Sequence, residues 1–140
     1  MTKNDLKVQQ YLSKAANDDP PGMDEEYVQQ AGEAIKDALR RRFNEKRDVT
    51  RGLRMSNIGR PLCQLQNESK GAESEEMPYN FALQMLYGDA IEAIVVSILK
   101  ASGVNVTDEH KKVKLKIGDT VVEGEMDLKV DNKVRDIKSA

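Results

Sequence analysis

Val121–Ala140, VVEGEMDLKVDNKVRDIKSA, is the stretch whose reading decides the fold. Two β-type runs, Val121–Val130 and Lys133–Ser139, flank Asp131-Asn132. Both of those residues tolerate positive φ, which a two-residue hairpin turn requires. The turn sets Val130 opposite Lys133, and the register then carries Asp127 opposite Asp136. Side chains alternate along a strand, so Glu125, Asp127 and Lys129 share a face with Val134, Asp136 and Lys138. Met126, Leu128, Val130 and Ile137 form the other, core-type face. Two carboxylates opposed across a hairpin repel each other, and a cation between them removes the repulsion. The plainer reading is a solvated face of alternating Asp and Lys.

Upstream, Lys112–Ile117 alternates cleanly, with Val113, Leu115 and Ile117 on one face and Lys112, Lys114 and Lys116 on the other. Gly118-Asp119 reads as a type II′-like turn into Val121, so a three-stranded antiparallel meander is expected over residues 112–139. His110, the single histidine, precedes the first strand without a Cys, His or Asp partner at metal spacing, and is assigned to the surface. Val104-Asn105-Val106 reads as a short strand or loop.

Before the meander, Pro78 leads into the strongest helix in the chain. From Asn80 to Ser102 apolar residues surround nearly its whole circumference, so it is expected to be largely buried, with Gly103 as its C-terminal cap. Glu92 interrupts the apolar run Ile91–Val95. A carboxylate there is costly unless it is paired, bound to metal, or turned outward on a stripe with Asp89 and Lys100. A second helix is read from Asp24 to Phe43, with Glu25 and Glu26 in its first turn and Arg40, Arg41 and Arg42 in its last. Glu68–Glu76 reads as a loop. Met1–Met23 is expected to be a flexible N-terminal arm holding at most a turn or two of helix, ended by Asn17-Asp18-Asp19-Pro20-Pro21-Gly22.

At 140 residues the chain is sized for one domain. Trp is absent and aromatics make up 4%, which argues against a base-stacking platform. The net charge of −2 gives no global attraction to nucleic acid, but nine Lys or Arg stand against three Asp or Glu between Lys36 and Arg60. That segment reads either as helix-end charge with a solvated loop or as a phosphate-contacting patch carrying Arg40, Arg41, Arg42, Arg51, Arg54 and Arg60. No sequence run is long and apolar enough to be read as a membrane span, and no signal-peptide pattern opens the chain. The single cysteine, Cys63, excludes an intrachain disulfide and fits a reducing, cytoplasmic compartment.

The G-E-M-D of Gly124–Asp127 followed by the V-R-D-I-K-S-A of Val134–Ala140 resembles the active-site signature of the PD-(D/E)XK nuclease superfamily, in its RecB-like and phage-exonuclease branch. The G-D-A-I-E-A-I-V of Gly88–Val95 is similar to the family's glutamate-bearing helix, although the histidine often found upstream of that glutamate is missing here. The resemblance implies a restriction-endonuclease-like fold of mixed α and β class. Residues 24–140 form one domain, helical over 24–103, with helices packed on the small meander. It implies a metal-dependent nuclease hydrolysing phosphodiester bonds in DNA, in a bacterium or a phage-infected host. Asp127, Asp136, Lys138 and Glu92 would be catalytic, and Glu92, Asp127, Asp136 and the carbonyl of Ile137 would hold one or two Mg²⁺ or Mn²⁺ ions. Arg54–Leu65 resembles the opening element of RecB-like nucleases, with the order of its Cys, Pro and Arg changed. In some relatives that cysteine joins three more on an iron–sulfur cluster. No cluster is expected here, and Cys63 reads as a small buried apolar residue.

The family pattern continues past its D-x-K strand, whereas this sequence stops at Ala140. The C-terminal part of the fold is therefore expected to be missing, and the edge strand Lys133–Ser139 to be covered by a second copy or a partner. A catalytically incomplete nuclease scaffold, binding nucleic acid or a partner without cutting, stays open as the alternative.

Overall fold

The computed structural model describes residues 1–46, 54–71 and 76–138. Four helices, α1 (Lys3–Ala16), α2 (Glu25–Phe43), α3 (Leu62–Ser69) and α4 (Tyr79–Ala101), precede five short strands. The strands are β1 (Val106–Thr107), β2 (Lys111–Ile117), β3 (Thr120–Met126), β4 (Leu128–Val130) and β5 (Lys133–Arg135). The class is mixed α and β, with two small antiparallel sheets, β2–β3 and β1–β4–β5.

α2 and α4 form the main helical pair. The small side chains of Ala38, Ala93 and Ser97 are buried, which lets two helices approach closely. The Ser97 hydroxyl finds acceptors at the carbonyls of Tyr27 and Ala93. α4 closes in a Schellman arrangement. Gly103, at φ +76°, donates to Lys100 O, and Val104 N donates to Leu99 O while its side chain is buried. This turn feeds the chain directly into β1.

α4 departs from the expectation of near-complete burial. Leu83, Tyr87, Ile91 and Ile94 are exposed, because helices and strands pack against only part of its circumference. By length and composition α4 could also cross a membrane; here it packs against α2 and β1 and carries Asp89 and Glu92 near its middle.

Asp131 and Asn132 both take positive φ, +49° and +64°, as a type I′ turn demands. The register is Val130↔Lys133, Lys129↔Val134 and Leu128↔Arg135, as the turn predicts. Leu128 is fully buried and Ile137 half-buried, so the core face is the expected one. The meander itself needs correction. Residues 121–130 are not one strand: the ladder breaks at Asp127, and β3 and β4 belong to different sheets. The last strand ends at Arg135, and residues 139–140 lie outside the described residues. At the break, Asp127 is bonded to both hairpins. Asp127 O accepts a hydrogen bond from His110 N at 3.0 Å, and the Asp127 carboxylate accepts from Ile137 N at 2.9 Å. The residue thus ties together the ends of two hairpins.

The N-terminal stretch expected as a flexible arm is a 14-residue helix. A capping box starts it: Thr2 Oγ accepts from Asp5 N, and the Asp5 carboxylate accepts from Thr2 N. Asn4 donates to Asp131 and Lys7 Nζ to Gly103 O, which fastens α1 beside the β4–β5 turn and the end of α4. Cys63, expected to be buried, is exposed on α3.

Candidate functional site

Asp127 is the centre of the site because two turns converge on it. The Asp131-Asn132 turn brings Asp136 to it from one side. The Gly118-Asp119 turn, through Ile117↔Thr120 and Lys111↔Met126, brings His110 to it from the other. The Asp127 carboxyl is raised above its ordinary value, chiefly by burial and further by the Asp136 charge, although the Ile137 N–H works against this. Asp136 is exposed and its carboxyl is lowered, first by Lys138, whose Nζ lies 2.6 Å from Asp136 Oδ2. The two carboxylates thus sit side by side in opposite electrostatic settings, one desolvated and one neutralised by an ammonium.

Glu92 reaches the same region from α4. Its Oε1 is buried without a hydrogen-bond partner, and His110 Nε2 lies 3.4 Å away without hydrogen-bond alignment. Burial is the main cause of its raised carboxyl; the Asp127, Asp89 and Glu125 charges add to it, and His110 opposes it. His110 also stands 3.3 Å from Glu125 Oε1. It is exposed, as the sequence reading assigned it, and it also stands at the edge of the site. The signal was present in the Gly118-Asp119 turn, whose register extends to place His110 opposite Asp127. His110 and Asp108 hold φ of +50° and +54°, a left-handed conformation that Asp and His adopt more readily than most residues.

A small cleft of about 80 Å³ lies between α2, α4 and this loop, lined by Arg41, Asp89, Glu92, Lys100, Glu109 and His110 among others. Arg41 and Arg42 converge on Asp89, at 3.5 and 3.4 Å, one turn before Glu92 on α4. Arg42 is largely buried and its Nε has no hydrogen-bond partner. The remaining described arginines of the basic segment stand elsewhere. Arg40 pairs with Asp37 and Glu33, Arg60 pairs with Glu68, and Arg54 lies beside β3, its backbone forming an isolated β-bridge with Glu123. Arg51 lies outside the described residues.

The donor set fits a hard divalent cation in its chemistry: Glu92, Asp127 and Asp136 are carboxylates, and one of their oxygens is buried and unsatisfied. In placement it is not gathered: among the described residues, no three His, Cys, Asp or Glu side chains are close enough to hold a metal ion together. No protein-family profile, curated protein or solved structure matches this chain.

Proposed function

We propose that this protein is a metal-dependent nuclease that hydrolyses phosphodiester bonds in DNA, of the phage-exonuclease or DNA-processing kind, with a restriction-endonuclease-like core and a cytoplasmic site of action. The observation that carries the reading is the buried Glu92 carboxylate oxygen, which has no hydrogen-bond partner and feels the charge of Asp127, itself coupled to Asp136. Carboxylates whose titration is shifted by burial and by neighbouring charge are candidates for a functional site. Glu92, Asp127, Asp136 and the Ile137 carbonyl would hold Mg²⁺ or Mn²⁺, which supplies Lewis-acid activation and charge neutralisation when bound.

The chain's own residues have separate tasks in this reading. The Ile137 N–H orients the Asp127 carboxylate. Lys138, beyond the end of β5, places an ammonium beside Asp136, where it can meet a phosphoryl oxygen as negative charge grows there. α4 excludes water from one side of Glu92, which strengthens its interactions with any cation. A cleavage assay on linear and circular DNA with Mg²⁺, Mn²⁺ or EDTA tests the proposal. The expected result is metal-dependent cutting that EDTA abolishes and that Asp127→Asn reduces at least 100-fold, the order seen when a group acting on transition-state charge is removed.

The second reading is a nuclease scaffold that binds without cutting, and the ungathered carboxylates favour it. DNA binding by the wild type without cleavage under any metal would select it.

A further inference from the structure

We propose that one face of the β2–β3 hairpin is a cationic rail for the DNA backbone, formed by Lys112, Lys114, Lys116 and Arg54 and leading outward from the Asp127 site. The inference rests on the nuclease reading and adds the path of its substrate.

The ladder pairs Lys112 with Glu125, Lys114 with Glu123 and Lys116 with Val121. Cross-strand partners share a face and alternate residues repeat it, so His110, Lys112, Lys114 and Lys116 lie on the face of Glu125 and Asp127. Arg54 joins that face from the far side of β3. It bridges Glu123 in parallel, and bridge partners point the same way. Met55, the next residue, accordingly packs against the opposite face, where a Cβ on Gly124 would stand 2.7 Å from its Sδ. That opposite face carries Val113 and the buried Val122, whereas the rail face holds one exposed apolar residue, Val121, opposite Lys116.

Four cations therefore share the face with two glutamates. Glu125 is turned to His110 at 3.3 Å and Glu123 to Lys114 at 2.7 Å. Lys114 foremost, with Lys112 and Arg54 behind it, holds the Glu123 carboxyl below its ordinary value. Among the described residues no ion pair engages Lys112 or Lys116, and both are exposed. The basic residues of α2 differ: Arg40, Arg41 and Arg42 each face a carboxylate within the chain. From Lys112 to Lys116 the rail runs about 13 Å at the usual strand rise. Phosphates recur every ~3.4 Å along each DNA strand axis, so a strand leaving the site passes several of them along this length. Lysine serves this contact as a sequence-independent point charge.

The test uses the full chain and a fluorescein-labelled DNA oligonucleotide, with anisotropy measured in Ca²⁺ across a salt series. Lys112→Gln/Lys116→Gln removes two charges from exposed positions, and Lys36→Gln on α2 serves as the control. The expected result is a drop of about 1.4–1.8 in the slope of log Kd against log salt for the double variant, and no change for the control. Melting curves confirm that both fold. A wild-type slope retained by the double variant overturns the rail and leaves the nuclease reading standing, provided Asp127→Asn still abolishes cleavage. A wild type that neither binds nor cuts DNA overturns both.

Discussion

Asp127 serves both hairpins, its carbonyl taking the His110 N–H and its carboxylate the Ile137 N–H. Glu92, on α4, carries its charge partly buried, at a thermodynamic cost that pH exposes. Its carboxyl is raised in the folded chain, so between the ordinary value of 4.5 and the raised one the native state binds more protons than the unfolded state. Stability therefore falls as pH rises through that window and stays lowered above it. Glu92→Gln removes the buried charge and is expected to stabilise the metal-free protein at pH 7 by about 1 kcal/mol, or about 3 °C in Tm at this length. The gain disappears below pH 4.5, where wild-type Glu92 is already protonated. Melting curves at pH 4 and pH 7 check this, and an equal gain at both would show that the charge is not the cause. The Asp127–Asp136 pairing is legible in the sequence because a two-residue turn fixes register by counting. The convergence of Arg41 and Arg42 on Asp89 is not, since it depends on the packing of α2 against α4, which no local pattern encodes.

Among the elements, α2 and α4 lie within one residue of their sequence-read bounds because periodicity and end charges agree. α1 is longer than the turn or two expected of Met1–Met23, because its signal is a capping box, Thr2 with Asp5, rather than a long apolar stripe. The strand break at Asp127 hid behind continuous β-type composition; it follows from hydrogen bonds to residues 10 and 17 positions away. The 3-10 turn Met55–Asn57 packs on β3 through Met55, and Gly124 leaves the room. Gly124→Ala would set its Cβ 2.7 Å from Met55 Sδ. The expected loss is about 1–3 kcal/mol in denaturant unfolding, as for other overpacked sites. Because the clash is with one side chain, Met55→Ala should recover part of the loss in the double variant. Additive losses from the two substitutions would mean that the contact does not limit the hairpin. At the other sheet, β5 is an outer strand with Val134 exposed, an edge of the kind that invites pairing with another chain.

At the scale of the whole molecule, five apolar residues are buried among the described ones, so a ligand that binds only the folded chain has a large effect on its stability. A divalent ion at Glu92, Asp127 and Asp136 would offset the burial cost, and the smaller repulsion, that raise the first two carboxyls. At 100 times its Kd it would add about 2.7 kcal/mol, a rise of about 8 °C in Tm for a chain of this size. Asp127→Asn keeps an oxygen to accept from Ile137 N but loses the charge. It should lose cleavage and most of the metal-induced rise, and melt somewhat higher than wild type without metal. Lys138→Ala should lose cleavage and keep the rise, because an ammonium does not ligate a cation. Scanning calorimetry of the three proteins with and without Mn²⁺ separates these cases. Equal metal-induced rises in wild type and Asp127→Asn would remove Asp127 from the metal site. A rise in wild type without cleavage would keep the metal site and favour the non-cutting scaffold.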